Sequence, residues 1–232
     1  MELYTYYRLS SKDAFLPKDK LPYNKHACLL NLINEFGTDS LIIQADNCSD
    51  DVIYQLEALK VNYYITHCSS SSESFITLLS KIKELGDDEL VYVVEDDYLH
   101  KPGAKKILME GLSTGADYVS LYDHPDKYID AANGGNPYIE GGGEVTKVLL
   151  TKTCHWKYTN STCLTFATTA KCIKEDFEIW KWAVFDNPSL GSFQAFITLR
   201  DKSSRVLISS IPGYATHIEV AWLSPLTDWN KI

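Results

Sequence analysis

No apolar stretch in the 232 residues approaches the roughly 20 needed to span a bilayer, and the opening Met1-Glu2-Leu3-Tyr4 lacks the basic and apolar regions of a signal peptide. Both absences lead to the expectation of a cytoplasmic protein with no transmembrane segment. Basic residues are in deficit: 22 Lys and Arg stand against 31 Asp and Glu, for a formal charge of -9. That balance excludes a broad electrostatic attraction to nucleic acid or anionic lipid, so any phosphate must be held by local groups. The six cysteines contain no C-x-x-C pair, which argues against a zinc site or a redox motif and for reduced, mostly buried thiols. There is no G-x-x-x-x-G-K-[ST] loop, no G-x-G-x-x-G turn and no internal repeat, so ATPase and dinucleotide readings lose their usual support.

What is present is an ordinary globular composition, 45% hydrophobic and 12% aromatic, in a chain long enough to bury a core without disulfides. Short β-rich runs alternate with segments of helical period. Glu2 to Arg8 reads as a strand, Ala27 to Phe36 as a helix stopped by Gly37, and Leu41-Ile42-Ile43 as a buried strand. A helix capped by Asp50 or Asp51 precedes a strand at Asn62 to Thr66. The serine tract Ser69 to Ser72 leads into the clearest amphipathic helix, Phe75 to Leu85, and Leu90 to Val94 reads as a central parallel strand. A helix over Pro102 to Leu112 and a strand over Asp117 to Tyr122 complete this half. Strict β/α alternation predicts a mainly parallel sheet with helices on both faces. The second half is loop-rich around Gly134-Gly135 and Gly141-Gly142-Gly143, then mixed. We expect one domain with two halves, residues 1–125 and 126–232.

The sharpest local feature is Glu95-Asp96-Asp97, directly after the apolar run Leu90-Val91-Tyr92-Val93-Val94. Ligands of open α/β sheets bind where strands end, and three adjacent carboxylates there repel one another unless a cation offsets them. Hard divalent ions such as Mg²⁺ or Mn²⁺ suit such oxygens and leave positions for substrate phosphates. Arg8 and Ser10 close the first strand, and Asp46-Asn47 the second, where a base needs donors and acceptors and a ribose needs a carboxylate. Ser71 and Ser72 stand at a helix start suited to a nucleotide or its phosphates.

Val91 to Leu99, with Glu-Asp-Asp at its centre, resembles the metal-binding DxD-type motif of GT-A fold glycosyltransferases. The run is similar in particular to the small capsid-glycosylating glycosyltransferase domains of chlorella viruses and related bacterial proteins. The likeness extends to Arg8, Asp46, the serine loop, Ser161-Thr162 with Thr165-Phe166, and Thr216-His217, and so covers most of the chain. It implies a GT-A-like, Rossmann-type α/β/α sandwich with a mainly parallel sheet and a smaller mixed C-terminal part for the acceptor. It implies that Asp97 binds the metal directly, that Glu95 and Asp96 contact the nucleotide-sugar or orient the metal's waters, and that His217 is a second metal ligand. The donor would be a nucleoside-diphosphate sugar, a UDP-sugar by resemblance, and the acceptor a glycan or glycoprotein.

An inverting transferase also needs a carboxylate to deprotonate the acceptor hydroxyl. Lys174 to Trp180 is similar to the Glu-Asp segment that supplies it in many inverting GT-A enzymes, which points to Asp176, with Asp186 in reserve. One of Trp156, Trp180, Trp182 and Trp222 is expected to face the acceptor. Two other readings share these features. One is a sugar nucleotidyltransferase, although Tyr4 to Lys12 carries no glycine for a phosphate loop. The other is a glycan-binding module that kept the fold without turnover.

Overall fold

The structure, a computed structural model, describes residues 2–12 and 19–232. Strand β1 (Leu3–Ser10) sets the two-layer logic: Leu3, Tyr7 and Leu9 pack into one core, while Tyr6 packs into the other. Helix α1 (Lys25–Phe36) starts where the Asn24 side chain accepts the Ala27 N–H. It ends at Gly37, whose φ of 82° suits a residue without a Cβ. The chain continues through β2 (Leu41–Asp46), α2 (Asp50–Leu59), β3 (Asn62–Thr66), α3 (Ser71–Ile82), β4 (Leu90–Glu95), β5 (Tyr98–His100), α4 (Ala104–Leu112) and β6 (Tyr118–Ser120). After a loop come β7 (Val148–Leu150), β8 (His155–Tyr158), β9 (Phe166–Thr169) and α5 (Ala170–Trp180), which runs on as a π-helical turn over Lys181–Asp186. Last are α6 (Gly191–Ser203), β10 (Leu207–Ile211) and β11 (Ala215–His217).

One sheet carries nine of these strands in the order β3-β2-β1-β4-β9-β6-β10-β8-β7. Strands β1 to β4 are mutually parallel, β9 enters reversed between β4 and β6, and β8 is the other reversed strand. The sheet is therefore mainly parallel in strand direction, with its mixed pairing confined to the half built from later residues. One core gathers around Tyr7, Ile43 and Tyr92 with residues of α1, α2 and α4, and a second around Phe75, Val93 and Trp180 with residues of α3, α5 and α6. The expected α/β/α sandwich is what forms. Strand β4 shows why its sequence is continuously apolar: Tyr92 and Val94 fill one core, Val91 and Val93 the other, and all four are fully buried.

Several local expectations need correcting. Ser49, not Asp50 or Asp51, occupies the N-cap of α2, and the two aspartates stand in its first turn, where the helix dipole favours them. In the serine tract, Ser70 caps α3 by accepting the Glu73 N–H, and Ser71 and Ser72 open the helix. Strands β5, β8 and β11 were not expected. The Gly134 to Gly143 stretch is tied down through Asp130, whose carboxylate receives the Ala132 and Gly141 N–H groups. All six cysteines are free thiols, with Cys28, Cys154 and Cys172 buried. Among the described residues no helix is long and apolar enough to cross a membrane.

A second, two-stranded sheet positions the site. Strand β5 leaves the turn after β4 and pairs antiparallel with β11, placing Tyr98 opposite His217. The Ile218 N–H donates to the Asp97 carbonyl at 2.9 Å and extends the ladder to the acidic turn itself.

Candidate active site

The C-terminal ends of β1, β2 and β4, with the N-terminus of α3, surround a cleft of about 480 Å³. Its lining includes Arg8, Ser10, Asp46, Ser71, Glu95, Asp96, Asp97 and His217, so residues far apart in sequence meet where the strands end. Ser72 stands one residue along α3 and is not among the lining residues.

Asp97 and His217 form the centre. The β5–β11 ladder brings His217 Nε2 to 3.0 Å from Asp97 Oδ2. The other carboxylate oxygen, Asp97 Oδ1, is buried and has no hydrogen-bond partner among the described residues. An orphaned carboxylate oxygen is costly to bury and is the group a cation would satisfy. Burial pulls the His217 imidazolium down, yet the hydrogen bond and charge of Asp97, with Glu95 behind it, raise its pKa above the ordinary histidine value. The Glu219 N–H donates to His217 Nδ1 at 3.4 Å and holds the ring from behind, with Glu219 Oε2 3.9 Å from the same nitrogen.

The other two acidic residues already have basic partners. Arg8 donates to Glu95 Oε1 at 2.7 Å, and with its other terminal nitrogen to the carbonyl and hydroxyl oxygens of Ser71 at 2.9 and 2.8 Å. The Ser10 N–H donates to Asp96 Oδ2 at 2.8 Å, and Lys25 Nζ lies 2.9 Å from the same oxygen. Burial pushes the pKa values of both carboxyls up, and Asp97 adds to the push, while Arg8 and Lys25 oppose it. The Glu95 N–H is held in turn by Thr165 Oγ1 at 3.1 Å, fixing the end of β4 against β9. Among the described residues, Asp97 is the one member of the triplet with a fully buried oxygen that lacks a hydrogen-bond partner. Among the described residues no group of three or more metal-ligating side chains converges, so a cation here would take Asp97 and His217 from the protein and its remaining ligands from water or a bound phosphate.

Asp46 stands at the cleft wall with one oxygen engaged: Oδ1 accepts from Thr66 Oγ1 at 2.9 Å and from the Cys68 N–H at 2.8 Å. This closes the ends of β2 and β3, and it makes Asp46 a fixed feature of the wall.

Asp176 and Asp186 are not brought to this cleft. Asp176 lies on α5 beside the residues that precede β6 and β10, at the opposite ends of those strands. It is almost fully buried and accepts from Tyr118 Oη at 2.8 Å and from Arg205 Nε at 2.8 Å. Arg205 also holds Asp117 at 3.1 Å and Glu175 at 2.6 Å, so the segment that looked like a catalytic Glu-Asp pair is an ion-pair cluster closing the sheet's far end. Asp186 is exposed on the π-helical turn, 3.9 Å from Lys181. The two carboxylates expected as base of an inverting transfer thus do not line this cleft. Of the four tryptophans, Trp156 and Trp180 are wholly buried core, Trp182 is exposed on the π-helical turn, and Trp222 is half-buried beside His124.

Lys25 is the cleft residue that sequence reading missed. Its ammonium joins Asp96 to the carbonyl of Ser10 at 2.9 Å and that of Lys12 at 2.6 Å, fastening the loop after β1 to the acidic turn. A signal existed: Lys25 is the first residue of α1, where the helix dipole disfavours a cation unless an anion compensates it.

No family model matches the chain, and no curated protein matches it. Many solved structures are similar in fold, and two of them serve as examples. One is CMP:2-keto-3-deoxy-manno-octonic acid synthetase in complex with CTP, at 11% identity, a TM-score of 0.50 and 92% coverage of both chains. The other is A197 from STIV, at 12% identity and a TM-score of 0.45, covering 94% of this chain and 85% of that one. At such identity the likeness to the synthetase is one of fold.

Proposed function

We propose that the protein is a divalent-metal-dependent glycosyltransferase whose cleft binds a nucleoside-diphosphate sugar, with a UDP-sugar as the donor and a glycan or glycoprotein as the acceptor. The observation that carries this reading is Asp97 Oδ1: a buried, unpartnered carboxylate oxygen beside His217, at the end of a central strand. One carboxylate oxygen and one imidazole nitrogen suit Mn²⁺ or Mg²⁺, which complete their shells with phosphate oxygens and water. A bound cation would neutralise the charge that develops on a departing nucleoside diphosphate.

The chain's own residues supply the rest. Arg8 and Lys25 bring two positive charges to the cleft while holding Glu95 and Asp96 in fixed positions. Asp46 and the start of α3 form the wall nearest the ribose and base in this reading. The bond from the sugar's anomeric carbon to the phosphate oxygen breaks, the acceptor oxygen takes that carbon, and the acceptor's proton leaves to a base. Neither Asp176 nor Asp186 is placed to serve as that base.

A sugar nucleotidyltransferase is the second reading, favoured by the fold shared with a CTP-bound synthetase. It would release pyrophosphate from a nucleoside triphosphate and a sugar, whereas a glycosyltransferase releases nucleoside diphosphate from a donor. Thermal melting with UDP, GDP, CMP and ADP, each with Mn²⁺ or EDTA, tests the cleft first. We expect one nucleotide to raise the melting temperature only with Mn²⁺, and Asp97→Asn to abolish that rise while leaving the unliganded melt within a few degrees. A nucleotide shift that persists in Asp97→Asn would reject the metal role. Assays of UDP release from UDP-sugars and of pyrophosphate release from CTP with sugar acids then separate the two activities.

A further inference from the structure

Five rings stand in a row that begins at the cleft. His217, Tyr98, Tyr122, His124 and Trp222 follow one another at centroid separations of 5.4, 5.6, 4.9 and 5.4 Å. Tyr98 and Tyr122 are buried, whereas His124 and Trp222 at the far end are partly exposed. The end of the row is rigid. Tyr122 Oη donates to the Trp222 carbonyl, and the Trp222 N–H donates to the Glu219 carbonyl at 3.0 Å, so the turn Val220–Trp222 is pinned to the row.

A polar pair stands beside that exposed ring. His124 Nδ1 accepts the Asp126 N–H at 3.1 Å and also lies 2.9 Å from Asp126 Oδ1. That oxygen also lies 3.6 Å from Lys127 Nζ, while the His124 and Asp126 side chains each keep 19% exposure. A pyranose ring has an apolar C–H face that packs on an aromatic ring and hydroxyls that need fixed polar partners. A partly exposed indole on a pinned turn, next to the partly exposed His124–Asp126 pair, supplies both.

We propose that this end of the row is a carbohydrate subsite for the acceptor, with the C–H face of a pyranose on Trp222 and a hydroxyl received by the His124–Asp126 pair. The assignment rests on the glycosyltransferase reading above, and it selects Trp222 from the chain's tryptophans.

Saturation-transfer NMR with a panel of methyl pyranosides (glucoside, galactoside, mannoside, xyloside, fucoside and rhamnoside), in the presence of UDP and Mn²⁺, tests it. The protein is compared with Trp222→Ala, Trp222→Phe and His124→Ala. At least one glycoside should bind the parent protein, about tenfold more weakly to Trp222→Ala, and with little change to Trp222→Phe, which keeps a ring. His124→Ala should weaken the same glycoside. The UDP and Mn²⁺ melting response should be unchanged in all three variants, which shows that the fold and donor cleft persist. Glycoside binding that survives Trp222→Ala, or a nucleotide response with no glycoside bound by any form, overturns the subsite. Absence of any nucleotide response in the parent protein instead overturns the reading of the cleft.

Discussion

Replacing Asp176 with asparagine separates structure from catalysis at the residue where sequence pattern and structure disagree. The carboxylate is almost fully buried between Tyr118 Oη and Arg205 Nε, each at 2.8 Å, with Arg205 Nη2 at 3.1 Å. Asparagine keeps the shape and one acceptor but turns an amide toward a donor and removes the charge facing Arg205. Breaking a buried pair costs about 3–5 kcal/mol when the partner is left alone. Arg205 is not left alone, since Asp117 and Glu175 remain, and burial raises the Asp176 pKa, so the ionised form is already partly opposed. Both facts lower the figure to about 2–3 kcal/mol, or a fall of roughly 4–12 °C in melting temperature for a chain of this size. Thermal melts with and without UDP and Mn²⁺ measure it. The variant should melt early yet keep its nucleotide response and its turnover below the melt. A variant that melts like the parent but has lost turnover would return Asp176 to the chemistry and refute the structural account.

The pH dependence of stability should have two limbs. Glu95, Asp96 and His217 have folded pKa values raised above their ordinary ones, so the folded state binds more protons, and their contribution is lost as pH rises through and above those ordinary values. His100 is the reverse: burial lowers it to about 3, so its contribution is present above about 6.5 and falls with pH, by about 2 kcal/mol at pH 5. Denaturant midpoints at pH 5, 6.5 and 8 in EDTA should peak in the middle, and Mn²⁺ should lift the alkaline limb; a flat alkaline limb in EDTA would contradict the shifts. In the core, Gly111→Ala would place a Cβ 2.6 Å from both Trp156 Cη2 and Val119 Cγ1. Overpacking of about 1–3 kcal/mol should outweigh a helix-propensity gain of about 1 kcal/mol, and a urea melt showing equal or greater stability would disprove it.

Much of the cleft built by β1, β2 and β4 was legible because its information is local. Leu90 to Val94 is apolar on both faces because both faces are covered, and the acidic triplet marks where that strand stops. Gly37 announces the end of α1 because the chain there adopts a positive φ. What could not be read depends on partners distant in sequence. Strands β5 and β11 have three residues each, too few for a periodic signal, and exist because they pair with each other. Glu175-Asp176 has the composition of a catalytic pair, and only Arg205, 29 residues beyond Asp176, shows that its charge is used in packing. Lys25 owes its place in the cleft to Asp96, 2.9 Å away in the fold and distant in sequence.

The β5–β11 ladder has a consequence for biosynthesis. Asp97 emerges early in translation and His217 120 residues later, and their contact depends on a pair of strands that neither half can form alone. A nascent chain could complete β1 to β4, and bury most of the first core, while the cleft still lacked one wall. Binding of nucleotide with Mn²⁺ therefore reports arrival of the last strand, and a ribosome-tethered chain stalled before residue 215 should show folded structure without ligand response. The cleft cannot be complete until residue 217 has been made, so a copy that stops short of it would fold in part and bind no ligand there.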